Sequence, residues 1–234
     1  MNKLEQIYEG KAKILYTTED PSLLIQYFKD DATAFNAQKK GTIVGKGVVN
    51  NAIASRIFQA LEKEGIPTHF VKQLSDRDML VKKVSIVPVE VIVRNRAAGS
   101  MCRILGLQEG LRLECPVLEF CYKNDALGDP LINEHHIVAL KIATRQEVDM
   151  IAKQALHINT VLSRYFLKLN IELIDFKLEF GRTPQGIILA DEISPDTCRL
   201  WEVGTGNKLD KDRFRRDLGN IEEAYQEVLR RVSQ

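Results

Sequence analysis

Nine residues, LIDFKLEFG at 173–181, alternate charged with apolar side chains. Successive side chains of a β-strand point to opposite faces, so this run predicts a strand whose apolar residues enter a core. The other face then carries Asp175, Lys177 and Glu179. From the pattern alone, a solvent-exposed strand and a functional strand are equally open interpretations. At about 3.3 Å per residue, Asp175 and Glu179 lie roughly 13 Å apart, so a functional face would divide into neighbouring subsites.

The segment that follows predicts a β-hairpin. GRTPQG at 181–186 has the glycine and proline of a turn, and IILADEIS at 187–194 can return antiparallel to the first strand. If odd-numbered residues pair with odd-numbered ones, Asp191 lies about 5 Å from Glu179, and the two carboxylates can bind Mg²⁺ together. A one-residue slip places Glu192 on that face instead. The sequence leaves both registers open.

The first part of the chain is rich in predicted strands. Before residue 85, the β-branched and aromatic segments are KILYTT, LLIQYFK, THFVKQ and MLVKKV. One helix interrupts them, VVNNAIASRIFQALEKEG at 48–65, and its last residue, Gly65, is the expected C′ glycine.

The last part of the chain is rich in predicted helices. One helix, at 144–170, opens with the capping box Thr144-x-x-Glu147, and another runs from 210–212 to Val232. Residues 108–134 are predicted to be mainly loop. This order predicts an α+β protein with two lobes, at 1–85 and 86–234, and not a doubly wound parallel sheet.

The composition is that of an ordinary globular protein, with 44% hydrophobic and 28% charged residues. A net charge of +1 gives no reason to expect a nucleic-acid or membrane partner, so an anion site depends on local Lys and Arg residues. The first residues lack the apolar segment of a signal peptide, and no run approaches the roughly 20 apolar residues of a membrane span. The four cysteines form no CxxC pair. We therefore expect a reduced, cytoplasmic protein.

Two arginines lie in VIVRNRAAGS at 91–100. Arg94 and Arg96 leave a predicted strand and precede a small-residue turn that ends at Ser100. Guanidinium groups beside a Gly-Ser turn suit a phosphate because they combine charge, planar donors, a hydroxyl and free backbone N–H groups. A surface strand with basic residues is the alternative. Arg199, just after the hairpin, is another cation that can converge on this site.

A lysine pair lies near the start of the chain, in GKAK at 10–13. If this segment is a strand, Lys11 and Lys13 share one face, as a pair that contacts the phosphates of ATP would. Such pairs are also common on exposed strands, so the pattern alone does not separate the two interpretations.

Other familiar motifs are not matched. KKGTIVGKG at 39–47 is not a P-loop, because the spacing from Gly41 is one residue short and Gly47 replaces the hydroxyl that would bind Mg²⁺. No Cys/His spacing predicts zinc, and His69 is interpreted as a packing residue. No GxSxG or other nucleophile motif is present, which argues against a covalent hydrolase.

Taken together, these segments resemble the SAICAR synthetase family of purine biosynthesis. VPVEVIVRNRAAGS at 87–100 and LIDFKLEFG resemble its two signature motifs. YEGKAKILY, VVNN, KND, DP, DEISPDTCRLW and DKDRFRRDLG match in the same order. The resemblance covers essentially the whole chain and implies the short, single-function bacterial form.

The resemblance implies a two-lobed, broadly kinase-like α+β fold with ATP between the lobes. It also implies a reaction in which ATP, L-aspartate and CAIR (4-carboxy-5-aminoimidazole ribonucleotide) give SAICAR, ADP and phosphate. Mg²⁺ would accompany the nucleotide, and a homodimer is expected by family analogy. Such a transfer depends on positioning and charge neutralisation more than on a protein nucleophile.

The resemblance assigns a role to each candidate residue. The candidates at the nucleotide and its metal are Lys11, Lys13, Glu179 and Asp191, with the adenine against the backbone of Val81, Lys82 and Lys83. The candidates at the CAIR phosphate are Arg94, Ser100 and Arg199, with Asp129 and Arg215 as further substrate contacts. The catalytic candidates are Lys177 and Asp175, near the imidazole carboxylate or a second metal ion.

Two other classes of function compete with this one. A small-molecule kinase on the same fold would account for the nucleotide residues but not for a preformed phosphate site at 94–100. A regulatory nucleotide-binding module would bind ATP without turnover.

Overall fold

The computed structural model of the chain describes residues 1–34 and 39–234, which form thirteen β-strands and six α-helices. The strands are β1 (Gln6–Glu9), β2 (Lys13–Thr17), β3 (Leu23–Phe28), β4 (Asp31–Ala34), β5 (Lys39–Thr42), β6 (Phe70–Gln73), β7 (Asp78–Lys82), β8 (Ser85–Arg96), β9 (Arg112–Tyr122), β10 (Leu131–Ile132), β11 (Ile171–Thr183), β12 (Gly186–Ala190) and β13 (Cys198–Glu202). The helices are α1 (Lys46–Lys63), α2 (Ser100–Leu105), α3 (Glu134–Ala139), α4 (Arg145–Lys168), α5 (Asp212–Arg215) and α6 (Ile221–Val232).

The first sheet has five strands in the order β1-β2-β3-β7-β6. The four strand segments predicted before residue 85 are confirmed as β2, β3, β6 and β7. Helix α1 packs against β3, β6 and β7 with the apolar face that its periodicity predicts. Its end is also confirmed, because Gly65 has a φ of 80° and its N–H donates to the carbonyl of Glu62.

The second sheet has six strands and is built around β11. One edge of β11 pairs with β8, and the other is shared between β12 and β13. The alternation in LIDFKLEFG is confirmed, since Phe176, Leu178 and Phe180 are all buried in the hydrophobic core. Helix α4 covers this apolar face. Its capping box is present as predicted, with Thr144 and Glu147 bonded reciprocally.

The chain passes from the first sheet to the second between Lys82 and Ser85. The division into two lobes at residue 85 stays a prediction. The mixed helix and sheet content confirms the α+β class. The hydrophobic core continues from one sheet to the other through α1 and α6, which pack on each other.

Two predictions about secondary structure are wrong. The stretch at 108–134 contains the eleven-residue strand β9, which pairs with β8. Pro116 interrupts the strand pattern of β9, but it lies where the pairing with β8 shifts register between Arg94 and Arg96, so the proline removes no regular ladder hydrogen bond. The final helix is broken into α5 and α6, because Gly219 and Asn220 both have positive φ angles.

Among the described residues, no helix combines the length and the apolar character that a membrane crossing requires.

Candidate active site

A cavity of about 1430 Å³ opens between the two sheets. One wall is apolar and is formed by Leu15, Leu24, Val81, Val84 and Ile86. The opposite side carries lysines and carboxylates from β2, β8, β11 and the segment after β12. A cavity with one apolar wall and a concentrated set of charges suits a ligand with an aromatic ring at one end and phosphates at the other.

The charged side of the cavity is organised around Lys177. Its Nζ lies 2.6 Å from Glu179 Oε1, 3.2 Å from Glu90 Oε1 and 3.3 Å from Asp191 Oδ2. Glu179 Oε1 also accepts a hydrogen bond from Lys123 Nζ at 2.7 Å.

Lys13 reaches the same place from the other sheet. Its ammonium pairs with Asp191 and lies 3.6 Å from Glu192 Oε1. The lysine cluster, defined as Lys13, Lys123, Lys177, Glu179 and Asp191, therefore joins the two sheets.

The hairpin pairs Glu179 with Ala190, so pairing of odd-numbered with odd-numbered residues is wrong and the register slipped by one residue is the one observed. Asp191 nevertheless joins the lysine cluster, because the strand ends before it. Strand β12 ends at Ala190, and Asp191 has a φ of 63°. This left-handed conformation ends the alternation of side chains and turns the Asp191 carboxylate towards Lys177 and Lys13. Glu192 is buried nearby, beside Lys13.

The charges of the lysine cluster stabilise one another. Burial alone would raise the pKa of Glu179, but Lys177 and Lys123 hold this pKa far below its usual value. Burial alone would lower the pKa of Lys177, and Glu179 and Glu90 raise it well above its usual value. For Lys13, burial prevails over the attraction of Glu192, and the pKa is lowered. Glu179 and Lys177 therefore stay charged at neutral pH.

The other end of the β11 face holds a second cluster, defined as Arg94, Asp175, Arg199 and Asp212. Asp175 Oδ2 accepts from Arg94 Nη1 at 2.5 Å and from Arg199 Nη1 at 2.8 Å. Arg199 Nε donates to Asp212 Oδ2 at 2.9 Å. Burial alone would lower the pKa of Arg199, but Asp175 and Asp212 raise it. We call these residues the arginine cluster.

Ser100 belongs beside the arginine cluster, because its Oγ accepts a hydrogen bond from Arg94 Nη2 at 2.9 Å. Gly99 lies against the Arg199 guanidinium, and a Cβ atom at position 99 would lie 2.5 Å from Arg199 Nη2. The Arg94 side chain is 2% exposed and also pairs with Glu119. The three residues predicted to hold a phosphate are therefore brought together, although none of them lines the main cavity.

The remaining candidates lie in or near the cavity. Lys11, Asp129 and Arg215 line it, with Lys11 paired to Asp125 and Arg215 paired to Asp212. The expectation that Lys11 and Lys13 share a strand face is wrong. Gly10 N–H donates to the Lys13 carbonyl, and this turn between β1 and β2 places Lys11 outside the strand.

The segment expected to contact the adenine is only partly at the cavity. Val81 and Lys82 line it, whereas Lys83 does not. The N–H of Lys82 already donates to the His69 carbonyl, and the N–H of Lys83 donates to the Ser22 carbonyl.

Sequence reasoning missed several residues of the site. Glu90 could have been found, because alternation along β8 places it on the same face as Arg94 and opposite Glu179. Lys123 lies in the family-like KND segment, but its approach to Glu179 depends on the pairing of β9 with β8. His69, interpreted as a packing residue, also lines the cavity.

The donor set at the lysine cluster fits Mg²⁺ bound to a nucleotide. Mg²⁺ commonly takes one or two protein carboxylates and completes its shell with phosphate oxygens and water. Glu179 and Asp191 supply two carboxylates that share Lys177, and the buried Oε2 of Glu192 has no hydrogen-bond partner. No group of three or more His, Cys, Asp or Glu residues forms a complete metal site in the part of the chain that the structure describes. The protein ligands therefore suit a metal ion that arrives with phosphates.

A cleft between two sheets, with an apolar wall opposite ammonium and carboxylate groups, is typical of an enzyme that uses a nucleoside triphosphate. Comparison with known proteins specifies the family. The SAICAR synthetase family profile matches residues 6–232. The chain belongs to the SAICAR synthetase family.

Individual relatives agree over the full length. The phosphoribosylaminoimidazole-succinocarboxamide synthase of Caldanaerobacter subterraneus subsp. tengcongensis is 63% identical over 234 residues, which is 100% of both chains. The crystal structure of the enzyme of that name from Ehrlichia chaffeensis has a TM-score of 0.96 and 47% identity, and covers 98% of both chains. A solved SAICAR synthetase in complex with ADP has a TM-score of 0.94 and 47% identity, and covers 97% of both chains.

Proposed function

We infer that the chain is an ATP-dependent ligase that joins L-aspartate to the carboxylate of CAIR, giving SAICAR, ADP and phosphate in purine biosynthesis. The observation that carries this conclusion is the 63% identity with a named synthase over the whole of both chains. The ADP complex of a structural relative is consistent with ATP as a substrate. The charged cavity between the sheets offers a place for this chemistry.

The lysine cluster is proposed as the site of the ATP phosphates. Lys13 and Lys177 direct two ammonium groups into the cavity, and Lys11 lines its edge. Glu179 and Asp191 would hold Mg²⁺, which would neutralise phosphate charge when bound. The ammonium groups now paired with these carboxylates would then pair with phosphate oxygens, so the charge of the cluster stays balanced.

The arginine cluster is proposed as the site of the CAIR 5′-phosphate. Two guanidinium groups and the Ser100 hydroxyl converge beside Gly99, and together they provide charge and directional donors. Both guanidinium groups contact the Asp175 carboxylate, whose side chain is 4% exposed. These contacts favour a positioning role for Asp175 over metal binding, because its two cationic partners already neutralise it.

Lys177 is proposed as the residue at the reacting groups, since on β11 it is the member of the lysine cluster that lies nearest in sequence to Asp175 of the arginine cluster. A carboxylate is a poor acyl donor until it is activated. Attack of a CAIR carboxylate oxygen on the γ-phosphorus forms an acyl phosphate and releases ADP, and the aspartate amine then displaces phosphate from the acyl carbon. The ammonium of Lys177 would stabilise negative charge that moves between these oxygens, and Glu179 and Glu90 keep it protonated.

Asp129 and Arg215, which both line the cavity, are proposed to contact the substrates. The proposal also includes a homodimer, a cytoplasmic location and the absence of a nucleic-acid partner.

The direct test measures ADP release by the purified protein with ATP, Mg²⁺ and CAIR, with and without L-aspartate. We expect ADP release to depend on aspartate and SAICAR to form in equal amount. ADP release without aspartate, with a stable phosphorylated product, would support a small-molecule kinase instead. ATP binding without turnover under any of these conditions would support a regulatory module.

A further inference from the structure

A buried network of three side chains lies outside both the lysine cluster and the arginine cluster. The carboxylate of Asp196 accepts a hydrogen bond from Lys46 Nζ at 2.7 Å through Oδ2, and one from the Tyr225 hydroxyl at 2.7 Å through Oδ1. All three side chains are almost completely buried. Of the three, Asp196 alone lines the cavity. We call Lys46, Asp196 and Tyr225 the buried triad.

The buried triad joins three elements that are distant in sequence. Lys46 is the first residue of α1, which packs on the first sheet, and Tyr225 lies on α6. Asp196 belongs to the segment at 191–197, which connects β12 with β13 of the second sheet. Since α1 and α6 pack on each other, one carboxylate ties this segment to both helices.

Stability alone does not account for the buried triad. Lys46 lies in the first turn of α1, where a positive charge opposes the helix dipole. A buried ion pair is often no more stabilising than apolar residues of the same volume. Burial alone would raise the pKa of Asp196, but Lys211 and Lys46 hold it well below its usual value, so the carboxylate stays charged and accepts from both partners. What two such partners provide is a fixed orientation of Asp196.

That orientation is passed along the segment at 191–197 by local hydrogen bonds. Asp196 N–H donates to Ser194 Oγ at 3.2 Å, and Ser194 N–H donates to Thr197 Oγ1 at 3.1 Å. The Thr197 hydroxyl donates to the Glu192 carbonyl at 3.3 Å, and the Thr197 carbonyl accepts from Lys177 N–H at 2.9 Å. The segment is therefore a hydrogen-bonded turn that connects the buried triad with the lysine cluster.

Asp191, the first residue of this segment, needs support from elsewhere. Its φ of 63° is a left-handed conformation, which costs free energy in a residue other than glycine. Its carboxylate now pairs with Lys13 and Lys177, and both ammonium groups turn to phosphate oxygens in the proposed function. These contacts cannot hold the segment while they are being exchanged. The contacts of the buried triad are not part of that exchange.

We propose that Lys46 and Tyr225 are positioning residues, which act through Asp196 to hold the backbone at 191–197 and so place the Asp191 carboxylate where it binds the metal ion of the nucleotide. This inference rests on the proposed function, because it takes Asp191 to be a metal ligand. Lys46 lies in KKGTIVGKG, the segment that does not match a P-loop, and its ammonium is directed to a carboxylate and not to the cavity.

The experiment measures the dissociation constant of ADP by calorimetric titration, with and without Mg²⁺ and without turnover. The variants are Tyr225→Phe, which removes only the hydroxyl, and Lys46→Met, which keeps an unbranched side chain without the charge. Neither residue lines the cavity, so an effect on metal-dependent binding has to pass through Asp196. Tyr225→Phe decides the question if Lys46→Met does not fold.

We expect both variants to bind ADP about tenfold more weakly than the wild type when Mg²⁺ is present, as is typical when a residue that orients a metal ligand is removed. Without Mg²⁺, their affinity for ADP should stay close to that of the wild type. In the ligase assay, the Mg²⁺ concentration that gives half the maximal rate should rise, excess Mg²⁺ should restore the rate, and the KM for CAIR should not change.

The control separates positioning from a general loss of stability. Asn159→Ala breaks the reciprocal hydrogen bonds between Asn159 of α4 and Asn95 of β8, and neither residue lines the cavity. Thermal unfolding should show lower midpoints for this control and for both triad variants, because each loses a buried hydrogen bond. At a temperature where all of them are folded, only the triad variants should lose metal-dependent affinity.

Three results would overturn the inference. They are wild-type affinity for ADP with Mg²⁺ in the triad variants, an equal loss with and without Mg²⁺, and an equal loss in Asn159→Ala. A wild type whose affinity for ADP does not depend on Mg²⁺ would also overturn it. The ligase assay of the wild type is read separately: a protein that binds ADP with Mg²⁺ but forms no SAICAR would refute the proposed function and leave the positioning role to stand on the binding data.

Discussion

At one end of the charged face of β11 the carboxylate of Asp175 is held by two arginines, whereas at the other end Glu179 is held by two lysines. A guanidinium is a planar fork with fixed donor directions, while an ammonium is a point charge on a flexible stem. The arginine cluster is therefore built for a fixed geometry. The lysine cluster can exchange its partners when a nucleotide and its metal ion enter.

Exposure shows the same difference. The Arg94 and Asp175 side chains are 2% and 4% exposed, whereas Lys123 is 38% exposed. Breaking a deeply buried pair leaves a charge without solvent or partner, while an accessible lysine recovers hydration. The two ends should therefore respond differently to substitution, with the arginine cluster affecting stability and the lysine cluster affecting nucleotide use.

The largest expected effect is that of Asp175→Asn on the free energy of unfolding. Removing this negative charge leaves Arg94 with Glu119 and Arg199 with Asp212 as their remaining acidic partners, and we expect a loss of about 3 kcal/mol. Urea unfolding measures this loss. The matched control is Glu172→Gln on the same strand, which breaks the more exposed pair with Arg96 and should change stability by about 1 kcal/mol or less. Equal losses in the two variants would contradict the proposed contrast.

Glu179→Gln should have the next largest effect, and this effect should appear in nucleotide kinetics. Loss of the carboxylate removes a proposed metal ligand and one partner of Lys177, so kcat/KM for Mg·ATP should fall about 100-fold. The KM for CAIR should change much less. Steady-state assays with each substrate varied in turn provide the measurement. If KM changed more for CAIR than for Mg·ATP, the lysine cluster would be assigned to CAIR and the arginine cluster to the nucleotide.

Arg199→Lys tests whether the geometry of the arginine cluster matters beyond its charge. The ammonium keeps the charge but loses the fork that contacts Asp175 and Asp212, so the KM for CAIR should rise about tenfold or more. The KM for ATP should stay near the wild-type value. Arg230→Lys, at an exposed pair on α6, is the control and should leave both KM values unchanged. An unchanged KM for CAIR in Arg199→Lys would refute the phosphate assignment.

The smallest predicted effect concerns pH and a residue beside the arginine cluster. Burial, reinforced by the charge of Asp212, raises the pKa of Asp210 to about 7, whereas an unfolded aspartate titrates near about 3.9. Between these values the folded state binds more protons than the unfolded state. The stabilising contribution of Asp210 is thus complete below about pH 4 and is lost as the pH rises through about 7, with a slope of at most about 1.4 kcal/mol per pH unit.

Urea unfolding of the wild type and of Asp210→Asn between pH 5 and pH 8 checks this slope. The difference in unfolding free energy between the two proteins should change with pH, because only the wild type titrates at this position. A difference that is constant over the range would show that Asp210 is ionised throughout. The test compares how the two unfolding free energies change with pH, so the absolute stability of the variant does not affect it. That stability is expected to differ, because the two Asp210 carboxylate oxygens accept from the N–H groups of Leu200 and Asp212, and asparagine has only one side-chain oxygen.

Much of the fold was accessible from local patterns. Alternation in LIDFKLEFG identified β11 and its buried face, and the Thr144–Glu147 capping box located the start of α4. Local patterns failed at two places. The stretch at 108–134, predicted to be mainly loop, contains β9, and the apolar period of the last helix continued across a break that the backbone conformation at Gly219 and Asn220 imposes.

The sequence by itself determined which residue types are available, the alternation that places three charges on one face, and the motifs that identify the family. Only the tertiary structure decided which charges meet. Asp191 reaches Lys177 because its backbone is left-handed after β12, and Lys123 reaches Glu179 because β9 pairs with β8. These contacts join residues more than ten positions apart, and local periodicity carries no information about such distances. Burial, which shifts the pKa values of Glu179 and Lys177, likewise exists only once the two sheets enclose the cavity.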